Sequence, residues 1–251
     1  MPWDFAVILL FLGVVVPWRG AMRIKELLAR PKLERADRLA LYASTIAFQW
    51  LALGVVAWRS KARGLTAQHL GLALPVPELS TAIAAALSLL LLATQLYSLR
   101  RLARLPPERP GFLHHMARKV MPQDLVETLA FIGLVSTVAP CEEFLYRGFS
   151  FAAIEDASNG SLLLPILGSS ALFSLAHLYQ GRQGLVSTFM VGLLFAAART
   201  LTGSLEPSII AHFLADLIAG LRAPRLLAHP RSAQPLEPAG PLTPPAPRQD
   251  P

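Results

Sequence analysis

Pro140-Cys141-Glu142-Glu143-Phe144-Leu145-Tyr146-Arg147 sits in the middle of an apolar run that extends from Leu125 to Ile154. A run of that length reads as a membrane-crossing helix. Such a helix should not carry two acids and a guanidinium: ionisable groups at bilayer depth cost about a few kcal/mol each, so they face a protein interior, pair, and serve a function. Two further apolar stretches show the same anomaly, one with His177 and the other with His212 and Asp216. The three together read as an active site inside a membrane.

Composition agrees. Of 251 residues 53% are hydrophobic and only 16% charged, with a mean hydropathy of +0.47, more apolar than a soluble domain. The expected fold is all-α, a polytopic transmembrane bundle forming a single domain over residues 1–221. The net charge of +7 could suggest nucleic acid. The Lys and Arg residues fall between the apolar blocks, however, where they orient membrane helices, and no nucleic-acid partner is expected. The single cysteine, Cys141, excludes an internal disulfide and a multi-cysteine zinc site, and a small packing role suits it.

Seven spans can be drawn outward from the central run: Phe5 to Trp18, Leu39 to Trp58, Leu79 to Tyr97, Leu125 to Ile154, Ser161 to Tyr179, Leu185 to Ala198 and Pro207 to Leu221. Residues Met1 to Asp4 carry no positive side chain and no small-residue cleavage pattern follows, so the first span reads as a helix rather than a leader. Trp3, Trp18, Tyr42, Trp58, Tyr97 and Tyr179 near span ends suit the headgroup layer. An external amino terminus places most of the 23 Lys and Arg, and the carboxyl terminus, in the cytoplasm. Ala21 to Arg30 reads as either an interfacial amphipathic helix or a basic loop. His114 and His115 are adjacent and point in different directions on a helix, a poor start for a metal site. Residues 222–251 hold nine prolines and read as a disordered tail, with His229 solvated.

On a regular helix Glu143 and Arg147 are one turn apart and can pair, while Glu142 points about 100 degrees away. One acid is thus occupied and the other is available as a base and later acid for attack by water. A structural ion-pair network is the alternative. Phe173 and His177, and His212 and Asp216, each share a helix face. With a turn near Asn159, Glu142 and His177 lie at similar depths, about 26 Å from it at about 1.5 Å per residue. A short sixth helix would bring His212 towards the same layer, in the cytoplasmic half of the membrane. Pro140 could kink the helix or open a carbonyl.

These residues resemble the CPBP family of membrane peptidases, which includes type II CAAX prenyl endopeptidases and bacteriocin-processing or self-immunity proteins. Three motifs carry the likeness: Glu-Glu-x-x-x-Arg at Glu142, Glu143 and Arg147; Phe-x-x-x-His at Phe173 and His177; and His-x-x-x-Asp at His212 and Asp216. Gly203-Ser-Leu-Glu-Pro207 also looks like the family. The likeness covers Leu125 to Leu221, a protease core within residues 124–221. It implies hydrolysis of a peptide bond in a membrane-associated or lipidated protein or peptide, with membrane lipid and that substrate as partners. Glu142, Glu143, Arg147, His177, His212 and Asp216 become the candidate catalytic residues, Glu142 activating water with His177, and His212 with position 216 stabilising the oxyanion. Asp216 stands where many relatives carry Asn, and an ionised aspartate donates no hydrogen bond.

Metal dependence stays open at the level of sequence. His177, His212 and Asp216 could supply three ligands to zinc with Glu142 as base, but no His-Glu-x-x-His is present, and metal-independent water activation is the preferred expectation. Two other functions compete with proteolysis: a catalytically silent scaffold or immunity factor, suggested by Asp216, and a proton-coupled transporter. The Ala, Leu, Arg and Pro bias hints at a GC-rich bacterial genome and so a bacterial cell membrane.

Overall fold

A computed structural model describes residues 1–103 and 112–227. Among the described residues the chain is all-α, with eight helices and no strand. They are α1 (Trp3–Ala29), α2 (Arg35–Ala62), α3 (Pro77–Ala103), α4 (Phe112–Lys119), α5 (Leu125–Ala157), α6 (Leu163–Ala176), α7 (Leu178–Thr202) and α8 (Glu206–Leu227). Five of them, α1, α2, α3, α5 and α7, are long and apolar enough to cross a membrane. The other two expected spans correspond to α6, which is shorter, and α8, which carries Glu206, His212, Asp216, Arg222 and Arg225.

Several boundaries differ from the sequence expectation, each for a local reason. The first span and the Ala21 to Arg30 segment are one helix, continuous through a π-helical turn at Phe11–Val15. The fifth span stops at Ala176, with His177 as its cap residue. The sixth is not short: α7 begins with a 3-10 turn at Leu178–Gln180 and runs to Thr202, staying helical through the largely exposed Gly181 to Gly184 and through Arg199, whose guanidinium donates to the carbonyls of Arg147 and His69. The last helix continues through Pro224 to Leu227, so the first six residues assigned to the tail are helical. Residues 228–251, with His229, lie outside the described residues, as do residues 104–111 and the side chain of His114. His115 is exposed.

Helix starts follow from capping. Asp124 accepts from the Glu127 backbone N–H at 2.9 Å, offsetting an orphan donor of the α5 first turn. That bond first, and then Arg35 Nη2 at 2.6 Å, hold the Asp124 carboxyl below the usual carboxylate range. At α2, Glu34 and Asp37 form a reciprocal capping box. Helix α2 then packs along α5, α6 along α7, and α8 along both α3 and α5.

The exterior is rich in large apolar side chains, among them Trp3, Val7, Leu10, Val14, Trp18, Trp58, Tyr97, Leu125 and Leu129. Water as solvent would penalise such a surface and hydrocarbon would not. Tyr42 departs from the aromatic-belt expectation: it is buried, donates to the Val120 carbonyl at 2.6 Å and packs edge-on against Phe131. The main core gathers Phe5, Leu12, Val56, Leu70, Phe144, Leu145, Tyr146, Phe149, Phe173 and Leu205. The candidate site rests on this cluster.

Two glycines set the turn that returns the chain to the site. Gly203 ends α7 in the left-handed region at φ 68° with its N–H bonded to the Arg199 carbonyl, a conformation glycine adopts without a Cβ penalty. Gly71, at φ 69°, lets the α2–α3 loop approach Arg199: a Cβ there would lie 2.6 Å from Arg199 Nε. Its carbonyl accepts from Leu205 N at 2.8 Å, which fixes the start of α8.

Candidate active site

Helix α5 supplies the acids and does not break at Pro140; it is regular to Glu143 and then widens into a π-helical turn at Phe144–Ser150. Such turns are frequent at functional sites. Every side chain of that turn is buried. Arg147 Nη1 donates to Glu143 Oε1 at 3.0 Å, and both side chains are fully buried. Arg147 also lies over the rings of Phe173, at 4.0 Å, and Phe195, at 5.2 Å, where the ring quadrupoles attract a cation. Phe173 of the second motif therefore seats the arginine of the first.

His212 reaches the acids from α8. Its Nδ1 lies 3.0 Å from Glu143 Oε1, and because a carboxylate only accepts, Nδ1 carries the proton. Nε2 then faces Glu142 Oε2 at 4.0 Å and Asp216 Oδ2 at 3.4 Å. Contact between the His212 ring and Phe195, 5.8 Å between centroids, shows how this happens with a long α7: the tight return at Gly203 brings α8 back alongside its own predecessor. The shallow sixth span is not what sets the depth of His212.

His177 is placed by the end of α6. Its Nδ1 donates to the Phe173 carbonyl at 2.8 Å, which leaves Nε2 of a neutral ring as an acceptor. The ring packs on Phe173 and Tyr179. His177 and Glu142 line one cavity of about 80 Å³ with Gln49, Tyr146, Tyr179 and the apolar Leu12, Val16, Phe48, Leu145 and Ala176. That is room for water beside polar groups.

Glu142, Glu143, Arg147, His212 and Asp216 are thus linked by direct contacts of 4.0 Å or less, and His177 meets Glu142 across the cavity. The zinc set His177, His212 and Asp216 is not assembled. His212 and Asp216 adjoin, but among the described residues no three His, Cys, Asp or Glu side chains form a group able to hold a metal ion. Cys141 is fully buried and forms no disulfide among the described residues.

Sequence reasoning missed three contributors. Gln49 of α2 donates through Nε2 to Glu142 Oε1 at 3.0 Å, so Glu142 is not unengaged. Arg199, buried on α7, donates to the carbonyls of Arg147 and His69 and ties the α2–α3 loop to the π-helical turn. Tyr146 packs edge-on against Phe173 inside the cavity wall. A lone polar residue in an apolar run, the signal used for His177, would have flagged Gln49 as well.

Residues 124–218 are similar to the family model described as type II CAAX prenyl endopeptidase Rce1-like, a protease family. The match contains all three motifs and every candidate residue except Gln49. No curated protein and no solved structure matches the chain.

Proposed function

We propose that the protein is an intramembrane endopeptidase that hydrolyses a peptide bond in a membrane-associated or lipidated protein or peptide. The observation that carries this reading is the shared cavity: Glu142, with an oxygen that has no hydrogen-bond partner among the described residues, faces His177, whose Nε2 is an acceptor. Water between them loses a proton to Glu142, polarised by His177, and its oxygen bonds to the substrate carbonyl carbon. The carbonyl oxygen becomes an oxyanion. Glu142 then returns the proton to the amine as the C–N bond breaks. His212 stands at 4.0 Å from the base, where an Nε2 proton can be offered to the developing negative charge. Asp216, half-exposed and 3.4 Å from that nitrogen, acts as an acceptor that holds His212 rather than as an oxyanion donor. No step is routed through a metal, since the donor set does not converge.

In the bilayer we read α6 and α8 as spans too, giving seven crossings with the amino terminus outside a bacterial cell membrane and the carboxyl terminus in the cytoplasm. Helix α4, whose last turn holds Arg118 and Lys119, then lies on the cytoplasmic face. The test of function compares membranes containing the wild-type chain with membranes containing Glu142→Ala or His177→Ala, by mass spectrometry of newly formed peptide termini. Termini that appear only with the wild type identify the substrate; identical sets in all three samples overturn the proposal.

A further inference from the structure

The matched family segment ends short of the amino-terminal helices, yet one of them touches the proposed base. Gln49 of α2 is only 7% exposed. A carboxylate can only accept, so the carboxamide must present its nitrogen, and Nε2 lies 3.0 Å from Glu142 Oε1. The opposite end of the same group, Gln49 Oε1, is buried with no hydrogen-bond partner among the described residues, and Glu142 Oε2 is likewise unpartnered. Both side chains line the cavity that holds His177.

A purely structural role explains this badly. An amide this deeply buried needs partners for both of its ends, here Glu142 for the nitrogen and room for water in the cavity it lines, whereas an apolar side chain of similar size would need none. A polar group kept at this position suits the holding of a reactive carboxylate. We infer that Gln49 is a positioning residue: it clamps Oε1 of Glu142 and so turns Oε2, the oxygen facing His212, towards the reacting water. This deepens the endopeptidase reading and rests on it. The α2 helix, generic by sequence, thereby contributes directly to a site whose acids and histidines come from α5, α8 and the end of α6.

The full chain in phosphatidylcholine vesicles provides the test, with Gln49→Leu as the near-isosteric variant lacking a donor. The infrared carboxyl band of Glu142, assigned by its loss in Glu142→Gln, moves in Gln49→Leu while the thermal midpoint stays level or rises. On a peptide identified by comparing wild type with Glu142→Ala, kcat falls roughly tenfold to a hundredfold, in keeping with a lost hydrogen bond to a charged group, with KM little changed. Gln49→Glu is inactive at neutral pH and regains activity relative to wild type as the pH falls, because a protonated carboxyl can donate as the amide did. His177, His212, Asp216, Glu143, Tyr146 and Tyr179 are the other titratable side chains around Glu142 and are common to both proteins, so the ratio of variant to wild type is the quantity read. An unmoved band, or a lowered thermal midpoint with unchanged kcat, overturns the assignment. If no peptide is cleaved by the wild type, the endopeptidase reading fails, and the band shift alone still decides whether Gln49 orients Glu142.

Discussion

The buried pairs Arg38–Glu127 and Arg147–Glu143 are built differently. Arg38 and Glu127 form a fork: Nε and Nη2 donate to the two carboxylate oxygens at 2.9 and 2.7 Å. Arg38 Nη1 goes to the Leu33 carbonyl, and Glu127 Oε2 also accepts from Gln123 N. The pair is closed and joins the start of α2 to the start of α5. Arg147 and Glu143 share a single bond, and Nε and Nη2 of Arg147 have no hydrogen-bond partner among the described residues; the guanidinium is held by aromatic faces instead. Saturation marks the first pair as a joint between helices. The open capacity of the second belongs with a site, where the glutamate must also hold His212.

The contrast can be broken experimentally. His177→Ala is expected to have the largest effect on the open region, a fall in turnover of roughly a hundredfold to ten-thousandfold with the unfolding midpoint nearly unchanged; retained turnover would remove His177 from the site. In the closed region Glu127→Ala leaves a buried guanidinium unpaired and should cost about 3–5 kcal/mol of stability, while activity per folded molecule persists. A denaturant titration alongside single-turnover kinetics separates the two. Asp216→Asn sharpens the comparison within the site: Asn can still orient His212, so the change in kcat should stay within about tenfold, and a complete loss would show that the carboxylate itself takes part.

The smallest effect concerns Asp124, beside the closed pair. Its carboxyl titrates below the usual range when folded, so its contribution is present at neutral pH and is lost as pH falls through the folded value. Asp124→Ala should lower the midpoint slightly at neutral pH, and the gap from wild type should close on acidification. A gap that is constant with pH would leave only the cap, not the charge, as the cause.

Much of the site was legible because its residues violate the rule of their surroundings. Glu142, Glu143, Arg147, His177 and His212 are polar groups inside apolar runs, and helical spacing alone pairs Glu143 with Arg147. Gln49 broke the same rule, but as an uncharged residue in a helix without a motif it carried less weight. Tyr42 shows the opposite failure: an aromatic near a span end suits the headgroup layer equally well, and only the packing of α4 and α5 revealed that its hydroxyl meets the Val120 carbonyl. Helix lengths misled in α7, where hydropathy counted only the apolar middle and left out Arg199, a charge whose partners, the carbonyls of Arg147 and His69, lie far away in the chain.

The amino-acid sequence by itself determined an all-helical chain with helices long and apolar enough to cross a membrane, and the residues of the candidate cluster, because apolar length and the cost of an uncompensated polar group in hydrocarbon are local properties. The tertiary structure alone decided which partners those groups take: Gln49 for Glu142, the Phe173 carbonyl for His177 and Glu143 for His212. Hydrogen bonds and ligand sets depend on positions to within fractions of an ångström. Helices far apart in the chain fix those positions only when they pack.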